Sequence, residues 1–299
     1  MAASRASALL AVAGGDAPPL VHAKVEALRR FLLAYGAARS WVWLALDSGS
    51  LPTTPLVVSA LVLTACAALA WTSRYATLAV RCALVVLVVQ LAWTFPITHN
   101  HFFLELVCVA LLALVDRDGD GEPVALEALC WVTALVLFHT GLAKVLHGLY
   151  FGGEVLAFMV GRGGRFADAF ALLLPADEIA RLTSYDPMHT GAGPYRVDSP
   201  AFVVASNLVW VLEIVLAPLL LWRRTRTAAA IAAIALVLAI QVGAREIGFA
   251  LLFANLLLLF VPTAATRTLL PALLAVLGWI VGAALGWLPG HAWLLTANV

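Results

Sequence analysis

The chain reads as an all-α polytopic integral membrane protein with about nine transmembrane helices (eight to ten), and three observations predict this. Hydrophobic residues fill 63% of the 299 positions and charged residues only 12%, giving a mean hydropathy of +0.99. A soluble domain carries about 25% charged and about 45–50% apolar residues, and a domain of this size must still cover its surface with polar groups, so the excess has to face lipid. The apolar residues also fall in runs near the roughly 20 residues that cross a bilayer. Finally, many of the 10 tryptophans (Trp41, Trp43, Trp71, Trp93, Trp222, Trp287) stand near the ends of those runs, as in the aromatic belts of a membrane interface.

Residues 1–21 read as a flexible or surface-lying tail, because the Ala8–Ala13 stretch behind Arg5 is shorter than a cleavable signal usually has. Residues 22–299 then form a single helical transmembrane domain. The expected spans are 25–46, 54–72, 76–97, 101–115, 124–146, 201–222, 227–244, 247–262 and 268–288. The first carries Arg29, Arg30 and Arg39 and is expected to lie partly in the interface. In the long 147–200 segment, Val155–Phe158 and Phe166–Leu174 are apolar enough for short amphipathic surface helices. Tyr185 to Pro200 is turn-rich and reads as a covering loop. Lys24, Arg29, Arg30, Arg74, Arg117, Arg223, Arg224, Arg226 and Arg267 share one side, so the positive-inside rule puts the N-terminus in the cytoplasm and 147–200 outside. A net charge of +1 implies no nucleic-acid partner. The cysteines (Cys66, Cys82, Cys108, Cys130) sit in apolar runs without C-x-x-C spacing and read as core residues.

Ionisable groups at membrane depth are costly and mark either function or a buried pair. Here they are Arg81, Glu105, His139, Lys144, Glu213 and the Arg245-Glu246 doublet. Arg81, one turn inside its span, can snorkel to the interface. Lys144 differs, because the chain has only two lysines among its 18 basic residues. Unlike arginine, a lysine can be driven neutral by desolvation and act as an amine base. The alternative is a lysine that pairs with Glu213 or caps carbonyls at the end of the fifth span. His99, Asn100 and His101 form a polar knot at the turn before the fourth span, on the expected side of Lys144. Thr140, Lys144 and His147 share a helix face. These histidines lack the paired H-x-x-x-H spacing of a membrane metal site. A separate pattern, Asp116-x-Asp118-x-Asp120-Gly121 with Glu127, fits a calcium loop, although Pro123 falls where such loops pair as a strand.

Two stretches carry a family likeness. Phe138-His-Thr-Gly-Leu-Ala-Lys144-Val, followed by Tyr150 and Gly153, resembles the G-[LV]-x-K-L…W…G segment of the HTTM superfamily. Asn100-His101-x-x-Leu104 is similar to its N-H-x-x-L motif. That superfamily includes the vitamin K-dependent γ-glutamyl carboxylase. Glu213, within Trp210 to Pro218, resembles an acidic residue of a later span, and Gly248-Phe249…Phe253 the glycine/phenylalanine span near the end of the domain. The likeness covers most of residues 22–265 and departs from the family at Tyr150, where a tryptophan is usual, and at Gln241, where a histidine is expected. It implies Lys144 as the base that deprotonates a vitamin K or menaquinone-type hydroquinone, with O2 and CO2 as co-substrates. It implies His101 as the residue that stabilises intermediates of glutamate γ-carboxylation. Substrate contacts are expected at Asn100, His99, His139, Thr140, Glu213 and Trp93, with a secreted peptide or protein as the acceptor. The carboxylase's large lumenal domain has no counterpart in this sequence, which leaves a second expectation: a non-catalytic membrane partner for maturation or export of a small secreted protein, docking on 147–200. Transport through Lys144 and Glu213 is a third, although no inverted repeat is visible.

Overall fold

The computed structural model describes residues 17–46, 53–72, 75–95, 100–116, 121–163, 165–185, 195–244 and 246–262, with isolated helical positions between 266 and 282. Among them there is no strand. The helices are α1 (Pro18–Leu46), α2 (Thr53–Ala70), α3 (Ala76–Thr94), α4 (Asn100–Ala113), α5 (Glu122–His147), α6 (Glu154–Gly161), α7 (Arg165–Phe170), α8 (Ala176–Thr183), α9 (Pro200–Leu221), α10 (Arg226–Ala244) and α11 (Ile247–Leu258). Three of them, α3, α5 and α9, are long and apolar enough to cross a membrane. Four shorter apolar stretches lie in α2, α4, α10 and α11. The ninth expected span, 268–288, falls almost wholly outside the described residues.

The chain divides into two compact units between Val132 and Thr133, a boundary that falls inside α5. In the first unit α1 packs on α2, α3 and α4, and α2–α3 and α3–α4 pack as successive hairpins. Helix α3 shows why. Ala76, Ala79, Val80, Ala83, Leu87 and Gln90 recur at three- and four-residue spacing and are buried, while Leu78, Val85, Val88 and Val89 are exposed. Small residues on the inner face let helices approach closely, and the outer face is apolar, as lipid requires.

Two of the three arginines of α1 turn inward. Arg29 is buried, its Nη1 donating to Glu122 Oε1 at 2.9 Å and its Nη2 to the Val115 carbonyl at 3.2 Å. His22 Nδ1 meets the other oxygen of Glu122 at 2.9 Å. Arg39 is likewise buried, against Glu105. Of the three charges behind the expectation of a partly interfacial first helix, Arg29 and Arg39 meet carboxylates far along the chain, while Arg30 stays partly exposed and donates to Glu26. Arg81 does sit at a helix end: it is half-exposed and donates to the Ala113 carbonyl and to Asp116.

In the second unit α9 packs on α10, and α10 on α11 and α7. Ser199 caps α9 by accepting from the Phe202 amide, with Pro200 at the first helical position, where a missing N–H costs nothing. The 147–200 segment is folded. Helices α6, α7 and α8 close over Ala157, Val160, Leu174, Leu182, Tyr195, Val197 and Phe202, which form a small apolar core. The surface helices expected at Val155–Phe158 and Phe166–Leu174 correspond to α6 and α7. Helix α8, whose sequence ADEIARLT is half polar, carried no continuous apolar run. Residues 186–194 of the expected covering loop lie outside the described residues.

Candidate functional site

Lys144 lies in the last turn of α5, one residue type that a helix C-terminus favours because its carbonyls are electronegative. Its Nζ donates to both carboxylate oxygens of Glu213, at 2.8 and 2.7 Å, and more weakly to the Thr140 carbonyl at 3.4 Å. The pair is partly withdrawn from its surroundings, with 19% of the lysine side chain and 6% of the glutamate side chain exposed. Of the two roles the sequence left open for Lys144, the pairing with Glu213 is the one observed.

Gly141 makes that pairing possible. A Cβ at this position would stand 2.8 Å from Ile214 Cγ1, and 3.0 Å from both Glu213 Cβ and the Trp210 carbonyl oxygen. Glycine therefore lets α9 come close to α5 one turn before Lys144, where a larger residue would hold the two backbones apart. The glycine of the Gly141-Leu-Ala-Lys144 stretch thus has a packing role of its own.

Past Lys144 the chain turns sharply through positive-φ Gly148 and Gly153. The turn is clipped to α9 by side chains that sequence reasoning missed. Ser206 donates to the Tyr150 carbonyl at 2.8 Å and Asn207 to the Phe151 carbonyl at 2.9 Å. Trp210 Nε1 donates to Asn207 and its ring packs edge-on against Phe151. This brings the Tyr150 ring to 5.6 Å from Lys144 Nζ, within cation–π range. Burial, then the nearby Glu213 carboxylate, push the Tyr150 phenol above its usual range, so it stays protonated. The signal was the Ser206-Asn207 pair, two adjacent polar residues in a span that is otherwise apolar apart from Glu213. His139 and His147 are exposed and do not join the pair.

His101 and Trp93 belong to the first unit. His101 is half-buried in the first turn of α4 and Trp93 is 43% exposed near the end of α3. Asn100 enters only as the first residue of α4, and His99 lies outside the described residues. That unit has its own buried polar cluster. Arg39 Nε donates to Glu105 Oε2 at 2.8 Å and Nη2 to Gln90 Oε1 at 3.0 Å. Gln90 Nε2 then donates to Ser40 Oγ at 2.9 Å, and Ser40 to the Gly36 carbonyl at 2.8 Å. The guanidinium carbon lies 4.4 Å from the Trp43 ring centre and 4.2 Å from that of Phe102.

Of the calcium pattern, Asp118 and Asp120 lie outside the described residues. Asp116 accepts from Arg81 at 2.9 Å and Glu127 from Trp131 Nε1 at 3.0 Å. Among the described residues no group of three or more histidine, cysteine, aspartate and glutamate side chains could hold a metal ion. No family model, curated protein or solved structure matches this chain.

Proposed function

We propose that the protein is a multi-pass membrane enzyme of the carboxylase-like class, with the N-terminus cytoplasmic and the working site near the external face. In this reading Lys144 takes a proton from a lipid-soluble quinol. The observation that carries it is the lysine–glutamate pair held at the end of an apolar helix, with Nζ partly accessible and both carboxylate oxygens within 2.8 Å.

The donor set fits an acidic hydroxyl. A protonated Nζ cannot act as a base, and its hydrogen bonds are taken by Glu213 and Thr140. Glu213 supplies the nearest acceptor for its proton, at 2.7 Å. Transfer from Nζ to the carboxylate turns a zwitterionic pair into a neutral amine beside a neutral acid. Net charge stays at zero, and low dielectric favours the form without separated charges. The amine then meets the hydroxyl of a quinol arriving from the bilayer, and Tyr150 covers the site from the turn. When bound, the hydroquinone and O2 supply the oxidative chemistry of the class, with CO2 added to a glutamate of a secreted peptide.

The test uses purified protein in bilayers with vitamin K hydroquinone, oxygen, labelled bicarbonate and a glutamate-containing peptide. Epoxide or labelled peptide is expected. Lys144→Arg keeps the charge and the pair but cannot release its proton, so it should fold and lose turnover. Turnover equal to wild type in Lys144→Arg would sink the base role.

A second reading is favoured by the folded 147–200 segment. A groove of about 640 Å³ is bordered by Leu172, Leu173, Leu174, Pro175, Asp177, Glu178, Asp198 and Ser199, a surface on which a secreted partner could be held during maturation or export. Co-purification with the secreted product of an adjacent gene, lost in Asp177→Lys/Asp198→Lys, would support it. Retention by that double variant would count against it.

A further inference from the structure

The first unit holds a polar cluster that the Lys144 proposal does not use, and its hydrogen bonds are incompletely matched. Arg39 spends Nε and Nη2 on Glu105 and Gln90, while its buried Nη1 has no partner among the described residues. Tyr35, one turn earlier on the same face of α1, is 8% exposed and its hydroxyl is likewise unpartnered. Buried donors are nearly always satisfied in native proteins, and two on one helix face, beside one carboxylate, make a site rather than an isolated defect.

We infer that the Tyr35–Arg39 edge of this cluster binds the carbonyl oxygen of a neutral molecule dissolved in the lipid. The chemistry follows from what is left over. Both free groups can donate, so the ligand must accept. The Arg39 cation is already balanced by Glu105, which is fully buried. A second anion would be an uncompensated charge in low dielectric, whereas a neutral acceptor adds none. Trp43 and Phe102 pack against the guanidinium and edge-on against each other, and a carbonyl lone pair approaching in the plane of the N–H bonds is the geometry that buried Nη1 can still accommodate. Gly36 supports the arrangement, since a Cβ there would stand 2.8 Å from Glu105 Oε1 and push the carboxylate off Arg39. The surrounding surface is apolar: Trp41, Val42, Trp93 and Phe103, on the same helices, are exposed. A ligand dissolved in the bilayer would enter past this apolar surface as the side chains move aside, and this inference is independent of the Lys144 reading.

Two sources share this chemistry, a lipid ester carbonyl and a free ketone or quinone. Benzophenone, a neutral ketone that crosslinks on illumination, distinguishes them when titrated into wild-type protein in nanodiscs of ether-linked and of ester-linked lipids. Saturable labelling on α1, α3 or α4 in ether lipids is expected, with Tyr35→Phe requiring about tenfold more probe for the loss of one hydrogen bond. Equal labelling in ester lipids assigns the site to a free ketone; suppression there assigns it to the lipid ester. Tyr35→Phe keeps the ring that stacks on Phe31 and removes only the hydroxyl, so without probe its thermal stability in ether lipids should match or exceed wild type. Labelling that does not saturate, falls on other helices, or is unchanged in Tyr35→Phe would overturn the inference.

Discussion

Gly141→Ala tests the close approach that sets up the Lys144–Glu213 pair. In open helix this change is favourable by about 1 kcal/mol, because alanine loses less backbone entropy on folding. At position 141 the added methyl would lie 2.8 Å from Ile214 Cγ1 and 3.0 Å from Glu213 Cβ and the Trp210 oxygen. Comfortable carbon–carbon contact is about 3.5–4.0 Å. Ile214 can rotate, but the Trp210 oxygen is backbone and Glu213 Cβ is fixed to it, so α9 must retreat by several tenths of an ångström. Overpacking of this kind costs about 1–3 kcal/mol, which outweighs the helix gain and leaves a net loss of about 1 kcal/mol. Gly278→Ala is the control, since no described residue lies within 4 Å of that position. Equilibrium unfolding in detergent micelles should place Gly141→Ala below wild type and Gly278→Ala at or above it. If both variants are stabilised alike, the two helices do not approach as described.

Breaking the pair from one side, by Lys144→Met or Glu213→Leu, should cost about 2–4 kcal/mol, below the fully buried range because the lysine is 19% exposed. The double variant should recover most of the loss, and additive single losses in the same unfolding assay would contradict the pairing. Ser206→Ala removes the bond to the Tyr150 carbonyl and should cost about 1 kcal/mol, with faster hydrogen exchange confined to the Gly148–Gly153 turn. Glu178 accepts hydrogen bonds from Arg181, and these hold its carboxyl below the usual range. Its contribution is therefore present above the ordinary carboxylate value and is lost as pH falls through the lowered one. Glu178→Gln should destabilise by about 0.5 kcal/mol at neutral pH, since both partners are partly exposed. Its unfolding curve should merge with wild type in strong acid, and a gap independent of pH would refute the assignment.

Helix positions were largely legible. The spans expected at 76–97, 124–146, 201–222 and 227–244 match α3, α5, α9 and α10 to within a few residues, because a long apolar run bounded by charge leaves the backbone few alternatives in or near lipid. Partners were not. Arg29 and Arg39 looked like flanking charges on a local reading, yet each meets a carboxylate more than 60 residues away. No local periodicity encodes such a pairing. Lys144–Glu213 could be raised as an alternative only because both charges interrupt apolar runs. Gly141 stood out as part of a motif, while its reason, the Trp210 backbone pressed against it, belongs to packing alone. Helix α8 escaped because its first turn is acidic and its stabilising bonds, from Arg181 to Glu178, Tyr185 and the Arg196 carbonyl, are those of a water-facing element.

The same three ion pairs share an order along the chain. Arg29 precedes Glu122 by 93 residues, Arg39 precedes Glu105 by 66, and Lys144 precedes Glu213 by 69. Ribosomes add roughly 5–20 residues per second, so Arg39 and Lys144 wait several seconds for their counter-ions to be synthesised, whereas Arg29 already has Glu26 one turn before it. During that interval α5, one of the three helices able to cross a membrane, would carry a charge that costs about 2.5–3.5 kcal/mol at the centre of a span, less near its ends. Insertion of α5 would thus pass through a cation-bearing intermediate that α9, with Glu213, later neutralises. A nascent chain halted before Glu213 should remain exposed to membrane quality control, and one extended just past α9 should escape it.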